Sequence, residues 1–176
     1  MVLGLGRGKV VLEPYNPKWA DLFQVEKGII EGALDDDVVG IEHIGSTAIP
    51  GMIAKPILDF MVAVDSLRDY EKYTPGLENL GYQFRRDNRD EQEHVLYVRG
   101  PEDRRTHYLK LTTKGSVFWK EQVIFRDYLI SHPDRAESYK ELKRELLEKH
   151  GGEREKYTKD KGDFIKETLN LADRGF

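Results

Sequence analysis

IEHIGSTAIPGMIAKPILDFMV, residues Ile41–Val62, is the stretch whose reading decides the fold. It opens as a short apolar run, breaks at Gly45-Ser46 and crosses a loop holding Pro50, Gly51 and Pro56. It then re-enters an apolar run with Asp59 inside. This order predicts a strand, a tight turn of small polar residues, and a second strand carrying one carboxylate. Such an arrangement can hold a polyphosphate and a divalent cation. Glycine at position 45 lets the backbone approach a phosphate closely. Ser46 and Thr47 add hydroxyl donors, and successive N–H groups in such a turn can form an anion nest. Asp59 offers the hard oxygen that Mg²⁺ prefers. The alternative is a plain β-hairpin with a buried serine and a capped aspartate. Strand alternation puts Asp59 and Met61 on one face, with Leu58 and Phe60 on the other. A carboxylate in an apolar strand is costly unless something pairs with it, and that cost marks Asp59.

Upstream, residues 1–9 (MVLGLGRGK) are glycine-rich. Gly8-Lys9 is followed by Val10, so the Gly-Lys-Ser/Thr of a phosphate-binding P-loop is missing. A flexible or loosely paired N-terminus is expected there. Val10–Leu12 is expected as a short edge strand. Asn16-Pro17 reads as the cap and first residue of a helix. Trp19, Leu22, Phe23, Glu26, Ile29, Ile30 and Ala33 keep helical spacing along it. Asp35-Asp36-Asp37 reads as a solvated turn or, alternatively, a metal site. The first strand is Val38–Ile44, where Glu42 and His43 adjoin the turn. His43 either contacts a ligand or hydrogen-bonds the loop.

Downstream, Lys55-Pro56 leads into the strand 57–64. Ser66 should cap a helix that Pro75 kinks or divides and Gly81 ends. Residues 82–84, 94–98 and 107–111 read as three further strands, with a charged turn at 85–91. His107 and Lys110 belong to the strand expected beside Asp59; each is either a phosphate contact or an ordinary strand residue. From Ser116 the chain turns helical, with helices expected over 117–131, 134–150 and 154–172. Gly151-Gly152 ends the second of them. Arg126, Lys143 and Lys161 each lie close to an apolar stripe, as salt-bridge partners or ligand contacts.

Composition narrows the classes. The chain has 176 residues, 39% hydrophobic and 34% charged, which suits one domain with one core. Residues 10–176 are read as that domain, its C-terminal helices starting near 116. The absence of cysteine excludes disulfides, thiolate metal sites and a cysteine nucleophile. No apolar run is long enough to span a membrane. With no apolar leader at the N-terminus, the cytoplasm is the expected compartment. A net charge of −4 argues against general nucleic-acid binding.

HIGSTAIPGMIAKPILDFMV, RTHYLKL, SVFWKEQVIFRDYLISHPDRAESYKELK and the closing KGDFI resemble the GrpB family, over about residues 10–170. That family is regarded as a branch of the nucleotidyltransferase superfamily and is also found fused to dephospho-CoA kinase. The resemblance implies an α+β fold: a mixed sheet of about five strands, helices packed on one side, and a C-terminal helical extension. It implies that Gly45, Ser46 and Thr47 form a phosphate-binding turn and that Asp59 is a catalytic, Mg²⁺-holding carboxylate. Lys55, His43, His107 and Lys110 would be further nucleotide or phosphate contacts. The superfamily pattern places a second acid two residues after the first, where this chain has Met61. Two-metal transfer uses neighbouring carboxylates to clamp the cations. The expected function is therefore binding of a nucleoside triphosphate with Mg²⁺, with or without nucleotidyl transfer to an acceptor. The alternative is a non-catalytic nucleotide- or phosphate-binding regulatory module linked to coenzyme A metabolism.

Overall fold

The structure is a computed structural model that describes residues 3–6, 10–34, 37–85, 93–150 and 153–174. Helix α1 (Lys18–Leu34) starts where expected, its first backbone N–H held by Asn16 Oδ1 at 3.1 Å. The strands are β1 (Gly40–Ile44), β2 (Leu58–Val64), β3 (Tyr82–Phe84), β4 (His94–Arg99) and β5 (His107–Thr113). They form one mixed sheet in the order β1-β2-β5-β4-β3, in which only β2 and β5 run parallel. Helix α2 (Thr74–Asn79) follows a 3₁₀ turn at Tyr70–Tyr73, and Pro75 sits in its first turn, where a missing N–H costs nothing. After β5 come α3 (Val117–Ser131), α4 (Pro133–His150), α5 (Arg154–Asp160) and α6 (Gly162–Arg174). Ser116 caps α3 by accepting from the Trp119 N–H.

Alternation gives the sheet two faces. Ile41, Phe60, Val62, Leu109, Leu111, Val95 and Tyr97 point to one, and α1 covers them with Trp19, Phe23 and Ile30. Ile44, Met61 and Ala63 point to the other, under Trp119 of α3. The C-terminal extension thus packs on the face that α1 and α2 leave open. Its own core, Leu129 and Tyr139, closes on Ile49 and Met52 of the loop after β1.

Three expectations need correction. Val10–Leu12 is not a strand; Glu13 pairs with Ala54 in a single bridge, and Val10 is buried against Leu146 and Tyr157. Its side chain is taken up between α4 and α5, away from the sheet. Ser66 caps no helix: its Oγ accepts from Arg68 N–H in a turn, and helical structure starts at Tyr70. The last helix is two, broken at Lys161-Gly162, where glycine weakens the helix. Within the N-terminal stretch, Gly4 donates to the Pro56 carbonyl, and Leu5 is buried and bridged to Arg105. Gly8-Lys9, Asp35-Asp36, the charged turn from 86 and Gly151-Gly152 lie outside the described residues. Asp37 pairs with Lys72 at 3.0 Å.

Candidate functional site

Between the sheet and the C-terminal helices lies a cleft of about 180 Å³. Its floor is the turn Gly45-Ser46-Thr47 with Ile57 and Asp59, and its walls include Lys55, Tyr108, Phe125, Tyr139 and Lys161. Gly45 is the residue the turn cannot exchange. Its φ of 66° and ψ of −169° fall in a region open essentially to glycine alone. A Cβ there would come within 3.2 Å of the Asp59 Cβ. The missing side chain is what lets the turn lie flat against β2 beside the carboxylate.

The electrostatics are unbalanced. Lys55 and Lys161 line the cleft, and Lys110 stands beside it, with Nζ 2.9 Å from Asp59 Oδ1. That oxygen is buried and accepts no hydrogen bond, so the pairing is Coulombic. Arg154 donates to the Tyr108 hydroxyl at 2.9 Å and lies over its ring. Burial, then the charges of Lys161 and Arg154, push the Lys55 ammonium down to about 7. Lys161 is pushed down to about 8, chiefly by burial, against the pull of Asp59. The cluster holds one acid among several cations.

Lys143 stands behind the turn. It is 2% exposed and donates to Ser46 Oγ at 2.6 Å and to the Ile53 carbonyl at 2.7 Å. Burial and the neighbouring Lys161, Lys55 and Lys140 push it well below the ordinary lysine range. Tyr139, one helical turn earlier, lies under the same nitrogen, 4.5 Å from ring to Nζ, and within hydrogen-bonding reach of Ser46.

Of the residues singled out in the sequence, the structure brings Gly45, Ser46, Thr47, Lys55, Asp59 and Lys110 together. His43 and His107 lie on the opposite face of the sheet. His43 stacks on Phe23 at 4.7 Å and shares a 3.0 Å hydrogen bond with Thr47 Oγ1. His107 belongs to a buried network in which Glu26 takes hydrogen bonds from Tyr82 (2.7 Å) and Arg99 (2.6 Å). Its Nε2 lies 3.8 Å from Glu26. Burial lowers both imidazoles to about 4. Arg126 is a salt-bridge residue, tied to Glu42 at 2.6 Å and to the His43 carbonyl at 2.8 Å. Among the described residues Lys143 and Lys161 show no such salt bridge; Lys161 lines the cleft, and Lys143 stands behind its turn. Tyr139, Arg154 and Gln122 were not singled out for the site. The signal available for Lys143 was its place on the buried stripe of α4 with Tyr139 and Leu146, where an apolar residue is the norm.

Mg²⁺ takes several oxygen ligands in near-octahedral geometry. Among the described residues no group of three or more His, Asp or Glu could hold a metal ion. Among the described residues Asp59 is the single carboxylate lining the cleft and is held by Lys110, and Met61 is fully buried under α3. This donor set does not fit a resident two-metal centre.

These features define an α+β protein with a mixed five-stranded sheet and a cation-rich cleft beneath a C-terminal helical layer. The family model described as GrpB protein matches residues 9–171, and the chain belongs to that family. It is 36% identical to the glutamate-rich protein GrpB of Alkalihalophilus pseudofirmus, over 96% of this chain and 99% of that one. The crystal structure of conserved protein GrpB from Enterococcus faecalis superposes with a TM-score of 0.82 at 29% identity, covering 92% of this chain and 96% of that one. A more distant match, 22% identical, is to a dephospho-CoA kinase of Mycolicibacterium paratuberculosis; it covers 96% of this chain and 47% of that enzyme. Among the described residues no helix is long and apolar enough to cross a membrane.

Proposed function

We propose that the cleft binds a phosphate-bearing ligand of the nucleotide class through the Gly45–Thr47 turn and the lysines facing it. One observation carries this reading: Lys55, Lys110 and Lys161 converge with Arg154 on a site where, among the described residues, Asp59 is the only lining carboxylate. Buried cations without enough counter-charge are costly, and an incoming anion supplies that charge. The apolar wall of Phe125, Tyr139 and Ile165 gives the same ligand a surface for a ring or chain. The likeness to a dephospho-CoA kinase puts coenzyme A-type phosphates among the candidates. The donor set favours binding without a resident metal, and so a binding or regulatory role.

Nucleotidyl transfer is the second reading, and it has one observation of its own. Asp59 abuts Gly45-Ser46 across the β1–β2 pair, the juxtaposition that the superfamily pattern requires. A thermal-shift panel of inorganic phosphate, nucleoside mono- and triphosphates and coenzyme A, with and without Mg²⁺, tests both. Ligand that binds the native state raises the melting temperature by mass action. A rise independent of Mg²⁺ supports the binding reading. A rise that needs Mg²⁺ and is lost in Asp59→Asn, followed by pyrophosphate release, supports transfer. No rise with any ligand at millimolar concentration overturns both.

A further inference from the structure

From the Ser46–Lys143 pair we infer a metal-free nucleophilic site: Ser46 Oγ attacks the phosphorus of a phosphoric anhydride bound in the cleft, with Lys143 as its general base. The inference goes beyond the binding reading and gives a role to Lys143, which binding alone does not require. Three observations carry it. The first is contact: Lys143 Nζ lies 2.6 Å from Ser46 Oγ, within the range in which a base takes a proton from a hydroxyl. The second is access. Ser46 lines the cleft, whereas Lys143 is not part of its lining and is 2% exposed behind the turn. A lysine placed to hold phosphate would face the ligand, as Lys55 and Lys161 do. Lys143 reaches the cleft only through the serine. The third is the protonation state. Among the described residues, the charged side chains that bear on Lys143 are Lys55, Lys140 and Lys161, with no carboxylate among them. Such surroundings favour the neutral amine, which has a lone pair to accept the Ser46 proton. Its second polar contact, the Ile53 carbonyl at 2.7 Å, and the Tyr139 ring beneath it fix the amine in place.

The step balances without a metal. The Ser46 proton moves to Lys143 Nζ as the Oγ–P bond forms. The bond from phosphorus to the bridging oxygen breaks, and the leaving phosphate or nucleotide departs as an anion that needs no proton. Lys55 and Lys161 face the charge that builds on the phosphorus oxygens. The product is a phosphoserine, or nucleotidyl-serine, at position 46, with Lys143 as the ammonium.

The test uses a neutral alkyl fluorophosphonate on the full chain, with labelling followed by intact mass and located by peptide mapping. Fluoride is the leaving group here, so the reaction reads the nucleophile and base alone. It is independent of whether the cleft binds phosphate, and either reading can fail without the other. Wild type is expected to carry one adduct on Ser46, and Ser46→Ala none. Lys143→Met should slow labelling by about 100-fold, the lower end of general-base contributions. Lys143→Arg should be equally slow, because it keeps a cation and loses the base. Should the Lys143 variants fail to fold by circular dichroism, the pH profile of the wild-type rate decides: it must rise to a plateau below the ordinary lysine range. No adduct in wild type, an adduct elsewhere, a Lys143→Arg rate equal to that of wild type, or a flat pH profile would each overturn the dyad and leave Lys143 as a pin for the 46–53 loop.

Discussion

The two faces of the sheet handle buried charge in opposite ways. Under α1, Glu26 is 4% exposed, yet it receives Tyr82 and Arg99 and stands 3.8 Å from His107. Charge there is matched inside the fold, and the imidazoles stay neutral. Under the C-terminal helices, Lys55 and Lys161 line a cleft with, among the described residues, one acid, already paired to Lys110. A balanced network is complete as it stands, whereas an unbalanced one is completed by something that binds. This contrast supports the proposed site better than any single residue type does. Both faces contain basic side chains, and only one leaves them without sufficient counter-charge.

The largest effect should come from breaking the balanced face. Glu26→Ala leaves Arg99 and His107 without their carboxylate. Removing one partner of a buried pair costs about 3–5 kcal/mol, and with Arg99 partly exposed the lower end, about 3 kcal/mol, is expected. Urea denaturation measures it, while ligand affinity at the cleft should be unchanged. A mutant that lost affinity along with stability would couple the two faces and break the comparison.

On the unbalanced face the signs reverse. Lys161→Ala removes a buried cation that repels Lys110 and Arg154, at the expense of its place over the Tyr157 ring and its attraction to Asp59, so stability should change little. Affinity for a phosphate ligand should fall by about 10- to 100-fold, the worth of one charge-assisted hydrogen bond. Isothermal titration against the ligand found by thermal shift checks this. Loss of stability without loss of affinity would make Lys161 a structural residue. Gly45→Ala tests the ground between the faces. Its backbone conformation costs about 1–3 kcal/mol for any other residue, and the new Cβ presses on Asp59. Both the melting temperature and ligand binding should drop.

Much of this was legible in the sequence because the signals are local. The five strands, the Ser116 cap and the break at His132-Pro133 rest on alternation, capping chemistry and proline, and all appear in the structure. Asp59 stood out because a carboxylate in an apolar strand needs a reason. What was not legible depends on register and on distant partners. Residues 107 and 110 are an odd number apart and so lie on opposite faces of one strand. The β2–β5 register sets Asp59 against Tyr108, which sends Lys110 to the cleft and His107 to the Glu26 network. A shift of one residue would exchange them. Lys143 reads on α4 as an amphipathic lysine near an apolar stripe. Only the partner 97 residues away, Ser46, gives it another meaning.

pH should separate the faces with the smallest effect and the cleanest sign. His43 and His107 are lowered from 6.5 to about 4 in the fold. Their contribution to stability is complete above 6.5 and is lost as pH falls through 4, because the unfolded chain binds the protons first. Lys55 and Lys161, lowered from 10.5 to about 7 and about 8, follow the same rule in an alkaline window. The ligand-free protein should gain stability as pH rises from 7 towards 10.5. Ligand binding should run the other way. A phosphate is held by the protonated lysines, so affinity should fall above pH 8 by about tenfold per pH unit for each lysine that must regain its proton. Titrations in buffers of different ionisation enthalpy would show proton uptake on binding at pH 8. Binding without proton uptake, and with no loss of affinity at pH 9, would mean that the anion is held elsewhere and that the cleft cations are matched by charges outside the cluster.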